Sequence, residues 1–159
     1  MGGHAFRQAS LPDSAFPRLP PAVYQALKAR VTPLLKAFYV HVETPIEAPE
    51  KADYGDLDFS TAVPISPDLA SSKGELSMSH HEPEVLKPAL GAVHCMARSG
   101  GGQTSNYAIP VRRGEWSVVG YDAFEEECRR DASKDNSADI YYQVSCGADA
   151  LNGMRNSRG

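Results

Sequence analysis

The amino-acid sequence predicts an α+β domain, a small mixed or antiparallel sheet with helices packed on one face. Three observations predict it. A clear amphipathic helix pattern stands near the start, several short β-branched or alternating runs follow, and one shorter helix pattern lies among those runs. The 159 residues suffice for one domain with a modest core and not for two.

Taken in order, residues 1–20 are rich in Gly, Pro and Ser and are expected to be irregular. The domain proper is expected over 21–146. Pro20-Pro21 opens a helix, because proline is tolerated in the first turn. Val23, Leu27, Val31, Leu34, Leu35 and Phe38 then recur at three- and four-residue spacing and form one apolar face. Pro33 interrupts this run and is expected to kink or split the helix. Tyr39 to Thr44 alternates and reads as a strand, 45–51 as a connection, and Asp56 to Val63 as the next strand. Residues 64–81 carry prolines and serines with few large apolar residues and read as a loop. Glu82 to Leu90 is a short helix limited by Pro83 and Pro88. Strands are expected at Ala92–Met96, Thr104–Val111 and Trp116–Tyr121, with a turn at 99–102. Residues 122–138 read as a frayed helix or a loop, and Ile140–Val144 as the last strand.

Residues 147–159 show no periodicity and are expected to lack order, leaving an apolar patch near Tyr141, Tyr142 and Val144. Gln143-Val144-Ser145 can be encoded by CAG-GTG-AGT, which contains a strong splice-donor sequence. The tail is therefore expected to be intron read-through and the domain a truncated one.

Composition is ordinary, with 42% hydrophobic and 23% charged residues. No apolar run is long enough to cross a bilayer, so no membrane partner is expected. The start lacks the charged-then-apolar order of a signal peptide, which points to an intracellular protein, cytoplasmic or nuclear. The net charge of -4 provides no basic footprint for nucleic acid. Arg112-Arg113 and Arg129-Arg130 are the paired arginines from which a local basic groove would have to be built. Cys95, Cys128 and Cys146 are odd in number and widely spaced, which fits neither a disulfide framework nor a zinc site. His4, His41, His80, His81 and His94 have no metal-binding spacing among them.

The run Tyr54-Gly-Asp-Leu-Asp-Phe59 carries the chemistry. On a strand, residues two apart share a face, so Asp56 and Asp58 would present both carboxylates together while Leu57 and Phe59 enter the core. Paired oxygens of this kind suit a hard divalent cation. Gly55 lets the backbone turn tightly, or lets a phosphate approach, just before the pair. The plainer alternative is an edge strand with two solvated aspartates.

The stretch from Glu47 to Phe59 resembles the active-site segment of DNA polymerase β-like nucleotidyltransferases. More narrowly, the chain is similar to a branch with a Gly-Gly-His-Ala-Phe start, here Met1-Gly-Gly-His-Ala-Phe6. Two further blocks fit that branch: Leu90-Gly-Ala92 followed by Ser105-Asn-Tyr-Ala-Ile-Pro110, and Tyr141-Tyr-Gln-Val144. The resemblance covers residues 1 to about 144 and implies a palm-like sheet that carries the acids. It also implies transfer of a nucleoside monophosphate from a nucleoside triphosphate, with Mg2+ or Mn2+ held by three carboxylates. Asp56 and Asp58 would be two of these, and Lys51 would meet the phosphates as a point charge.

The chain departs from that pattern in three places. Where the third aspartate is expected, directly after the Tyr-x-Gln-Val run, stands Ser145. Asp139 lies at the other end of that run, four residues or about 13 Å by strand rise from Gln143, and Asp149 lies beyond Gly147. No Gly-Gly or Gly-Ser pair lies between Val40 and Gly55 to cradle phosphates. The helical region that follows in related proteins is not evident. The sequence therefore predicts a weakly active or inactive nucleotidyltransferase-like protein. The alternatives are a non-catalytic nucleotide- or partner-binding protein of the same fold, or an interaction domain with an incidental acidic strand.

Overall fold

The computed structural model describes residue 6 and residues 11–46, 51–65, 83–97 and 104–147. The fold is α+β, with three α-helices and a five-stranded mixed sheet among the described residues. The helices are α1 (Pro21–Lys36), α2 (Pro83–Leu90) and α3 (Asp122–Lys134). The strands are β1 (Tyr39–Glu43), β2 (Leu57–Pro64), β3 (His94–Ala97), β4 (Thr104–Pro110) and β5 (Tyr141–Gly147). Their order across the sheet is β1-β2-β5-β4-β3. All neighbours run antiparallel except β2 and β5, which are parallel.

The helix faces read from the sequence are the buried ones. Val23, Tyr24, Leu27, Val31 and Leu35 of α1 are buried, and α1 packs along β1. Leu86 and Leu90 do the same for α2, which packs on β3 and β4 and also touches α1. Pro33 does not split α1. Val31 and Leu35, on either side of it, are both fully buried. Their burial offsets the hydrogen bond that proline cannot make. Thr32 turns its hydroxyl back to the Lys28 carbonyl at 2.7 Å.

Three other expectations change. Trp116–Tyr121 is not a strand but contains a 3-10 helix, Glu115–Val119, bracketed by Gly114 and Gly120 at φ 80° and 79°. Side chains rarely adopt that left-handed conformation, so the two glycines set the short turn. The segment inserts Trp116 into the core while Val118 stays 87% exposed. Residues 122–134 form a full helix, and Asp135 and Asn136 end it with turn hydrogen bonds to Ala132 and Ser133. The expected apolar patch does not exist: Tyr141, Tyr142 and Val144 are buried at 8%, 2% and 0% exposure. Their strand is the central one of the sheet, and it runs to Gly147, one residue past the expected domain edge.

The core also reaches upstream of residue 21. Phe6, Ala15, Phe16 and Leu19 are buried. Phe16 stacks between Phe6 and Tyr141, with ring centres 5.7 and 5.6 Å away. A two-way backbone bridge ties Leu19 to Tyr54, and the Tyr54 ring stacks on Tyr24 at 3.8 Å. Arg18 pairs with Asp53 at 2.7 Å. The chain just before the acidic pair is thus anchored to α1 and to the N-terminal segment. The loop at 66–82, the turn at 98–103 and the tail from 148 lie outside the described residues.

Candidate functional site

Alternation on β2 follows the sequence reading. Leu57 and Phe59 are buried at 1% and 3%, while Asp58 between them is exposed. Asp56 lies one residue before the start of β2 and is half-buried. Parallel pairing sets Asp58 opposite Ser145 of β5, and antiparallel pairing sets Ser145 opposite Asn106 of β4. Residues in register share a face, so Asp58, Ser145 and Asn106 form one row across three strands. Ser145 Oγ also stands 3.5 Å from Asp56 Oδ2. Asp56 thus approaches the hydroxyl that stands where a third carboxylate was expected, and Asp58 is that residue's neighbour in register.

Behind that hydroxyl lies a closed polar triangle. Ser145 Oγ donates to Asn106 Oδ1 at 2.6 Å. The Gln143 amide donates to Asn106 Oδ1 and to Ser145 Oγ, both at 3.2 Å. Gln143 and Ser145 are almost fully buried, so the triangle forms the inner wall and Asp58 the outer rim. Asn106 and Gln143 were not identified as site residues from the sequence. They became legible only with the β4–β5 register, which no local pattern encodes.

The Asp58 carboxyl is held above its ordinary value of 3.8. Partial burial is the main cause and the Asp56 charge the next, with Lys51 pulling the other way. Because Asp58 still presents ample area to water, solvent keeps this effect modest. Lys51 Nζ lies over the Tyr54 ring, 4.8 Å from its centre, which holds the ammonium beside the acids. Gly55 occupies a bend between the Tyr54 bridge and β2. Asp139 precedes β5, where its carbonyl accepts the Ser137 hydroxyl, so it does not join the row.

Two carboxylates and one hydroxyl are oxygen donors of the kind a hard divalent cation takes, and they are too few to serve two. Among the described residues no group of three or more His, Cys, Asp or Glu side chains gathers as a metal site. A shallow groove along α1, lined by Gln25, Lys28, Ala29, Thr32, Pro33 and Lys36, contains no acid. It offers a cation nothing, so the polar row is the better candidate. Among the described residues no helix is long and apolar enough to cross a membrane. Comparison with known proteins gave no matching family model, no matching curated protein and no matching solved structure.

Proposed function

We propose that this chain is a nucleotidyltransferase-like protein that binds a divalent cation and a nucleoside triphosphate at Asp56 and Asp58, and transfers nucleotide weakly or not at all. The observation that carries the reading is the register of β2 on β5. It sets Ser145 beside both aspartates, at the position where the resemblance calls for a third carboxylate. In this reading Asp56 and Asp58 hold the cation, Mg2+ or Mn2+, which supplies charge neutralisation to a triphosphate. Lys51, kept near the acids by Tyr54, meets the phosphates as a point charge. Ser145 brings no negative charge, so a second cation lacks a ligand and catalysis is impaired. That same neutrality favours the second reading, a binding protein that keeps the fold without the reaction. Free thiols at Cys95, Cys128 and Cys146 suit an intracellular setting, cytoplasmic or nuclear.

Calorimetric titration tests the reading. The full chain is expected to bind Mn2+, and nucleoside triphosphate in its presence, and Asp56→Asn/Asp58→Asn to lose both. Equal Mn2+ binding by the parent and the double variant overturns it. Labelled nucleotide then separates the two forms of the proposal: weak transfer abolished by Asp56→Ala marks a residual enzyme, and none marks a binding protein.

A further inference from the structure

β1 forms one edge of the sheet, and its backbone directions can be worked out from a single hydrogen bond. The Ile65 N–H donates to the Phe38 carbonyl at 2.7 Å across the seam with β2. Bonding direction alternates along an antiparallel strand, so Val40 and Val42 also turn their backbone groups toward β2. His41 and Glu43 turn theirs outward. Among the described residues no strand pairs with that outer side. Sheet edges are commonly blunted by lysine, proline or a bulge. Tyr39-Val-His-Val-Glu43 has neither lysine nor proline, and its pairing with β2 keeps one register throughout. Exposed apolar side chains mark the same edge, at Val40 and, beyond the end of the strand, at Ile46.

We propose that two copies of this chain meet at this edge, β1 running antiparallel to β1 of the second copy about a two-fold axis at Val42. Occupant and register follow from complementarity. An axis at His41 sets His41 against itself, and an axis at Glu43 sets two carboxylates against each other, a repulsive pairing. An axis at Val42 sets His41 opposite Glu43 of the second copy, and symmetry repeats the pair. Each imidazole then donates to a carboxylate on its own face of the sheet. The outward N–H and C=O groups of both residues are satisfied across the seam. On the other face Val42 meets Val42 of the second copy. The same register, continued past the strand ends, brings Phe38 opposite Ile46 and covers that exposed side chain. A seam of two strands is smaller than a standard interface of about 1,600 Å2, so the dimer is reversible, with a Kd in the micromolar range.

Sedimentation equilibrium of the full chain over a range of concentrations decides it. The parent is expected to show a monomer–dimer equilibrium. Glu43→Pro should be monomeric, because it deletes an outward N–H and spares the ladder to β2. His41→Glu, which sets like charges opposite each other twice, should weaken the dimer about tenfold, and Glu43→Lys should weaken it by a similar factor. The double variant His41→Glu/Glu43→Lys should restore it, since each glutamate then faces a lysine. Far-UV circular dichroism confirms that each variant is folded, and the charge variants keep the test open if the proline variant is not. A parent that stays monomeric leaves the edge to another occupant and overturns the proposal. A dimer that Glu43→Pro or His41→Glu leaves intact associates through another surface and overturns it as well. If both single charge changes weaken the dimer and the double variant does not restore it, the register centred on Val42 is overturned.

Discussion

At Asp58 a single carboxyl reports on the whole site. Burial and the Asp56 charge raise its folded-state value above 3.8. An acid whose value is raised by folding favours the fold in its protonated form. Its contribution is therefore full at low pH and is lost as pH rises through the shifted value. Asp58→Asn should remove that loss. Its urea midpoint should change less than that of the parent from about pH 4 to about pH 7, and should be modestly higher at neutral pH. A variant that is less stable than the parent at neutral pH would mean that the ionised carboxylate is held favourably. The acidic pair was legible in the sequence because strand alternation is a local rule that Leu57 and Phe59 obey on the other face. Asn106 was not legible, because its place depends on pairing with a strand that lies 39 residues away along the chain at Ser145.

Among the elements, α3 shows how a polar sequence can still build a core. Glu125 is buried and accepts the backbone N–H groups of Gly114 and Trp116 at 2.9 and 3.1 Å and the Arg129 guanidinium at 3.2 Å. Arg129 in turn donates to the Val111 carbonyl at 2.9 Å. Glu125 and Arg129 thus join α3 to the 3-10 helix and the end of β4. Burial pushes the Glu125 carboxyl up, but these three hydrogen bonds outweigh it and hold it below 4.5. A depressed carboxylate stabilises the fold above its unfolded value, and that contribution is lost as pH falls through the folded one. Glu125→Ala should cost about 3 kcal/mol, since it leaves the Arg129 charge buried without its partner. Urea denaturation at neutral pH measures this cost, and a loss below about 0.5 kcal/mol would show that the pair is neutral in effect. The sequence marked 122–138 only as charged and polar. Its helical stripe consists of Glu125, Cys128, Arg129 and Ala132, which a count of large apolar residues passes over. By contrast α1, with Val23, Leu27 and Val31 at regular spacing, was plain from periodicity alone.

For the whole molecule, the decisive fact is that β5, last of the five strands in sequence, occupies the middle of the sheet. It pairs with β2 on one side and β4 on the other, and Val144 and Cys146 are fully buried. The sheet order could not be read from the sequence, since nothing local to a strand names its neighbours. A chain ending at residue 140 should therefore lose cooperative folding, seen as a broad or absent urea transition, although every helix is still present. A sharp transition near that of the parent would show that β1-β2 and β3-β4 persist without their centre. The same topology bears on how the protein is made. As the ribosome extends the chain, β1-β2 and β4-β3 emerge as two separate hairpins, each with one bare edge awaiting a strand not yet synthesised. Until β5 arrives, those edges are open to pairing with other nascent chains, so translation speed and chaperone access govern the yield of folded protein.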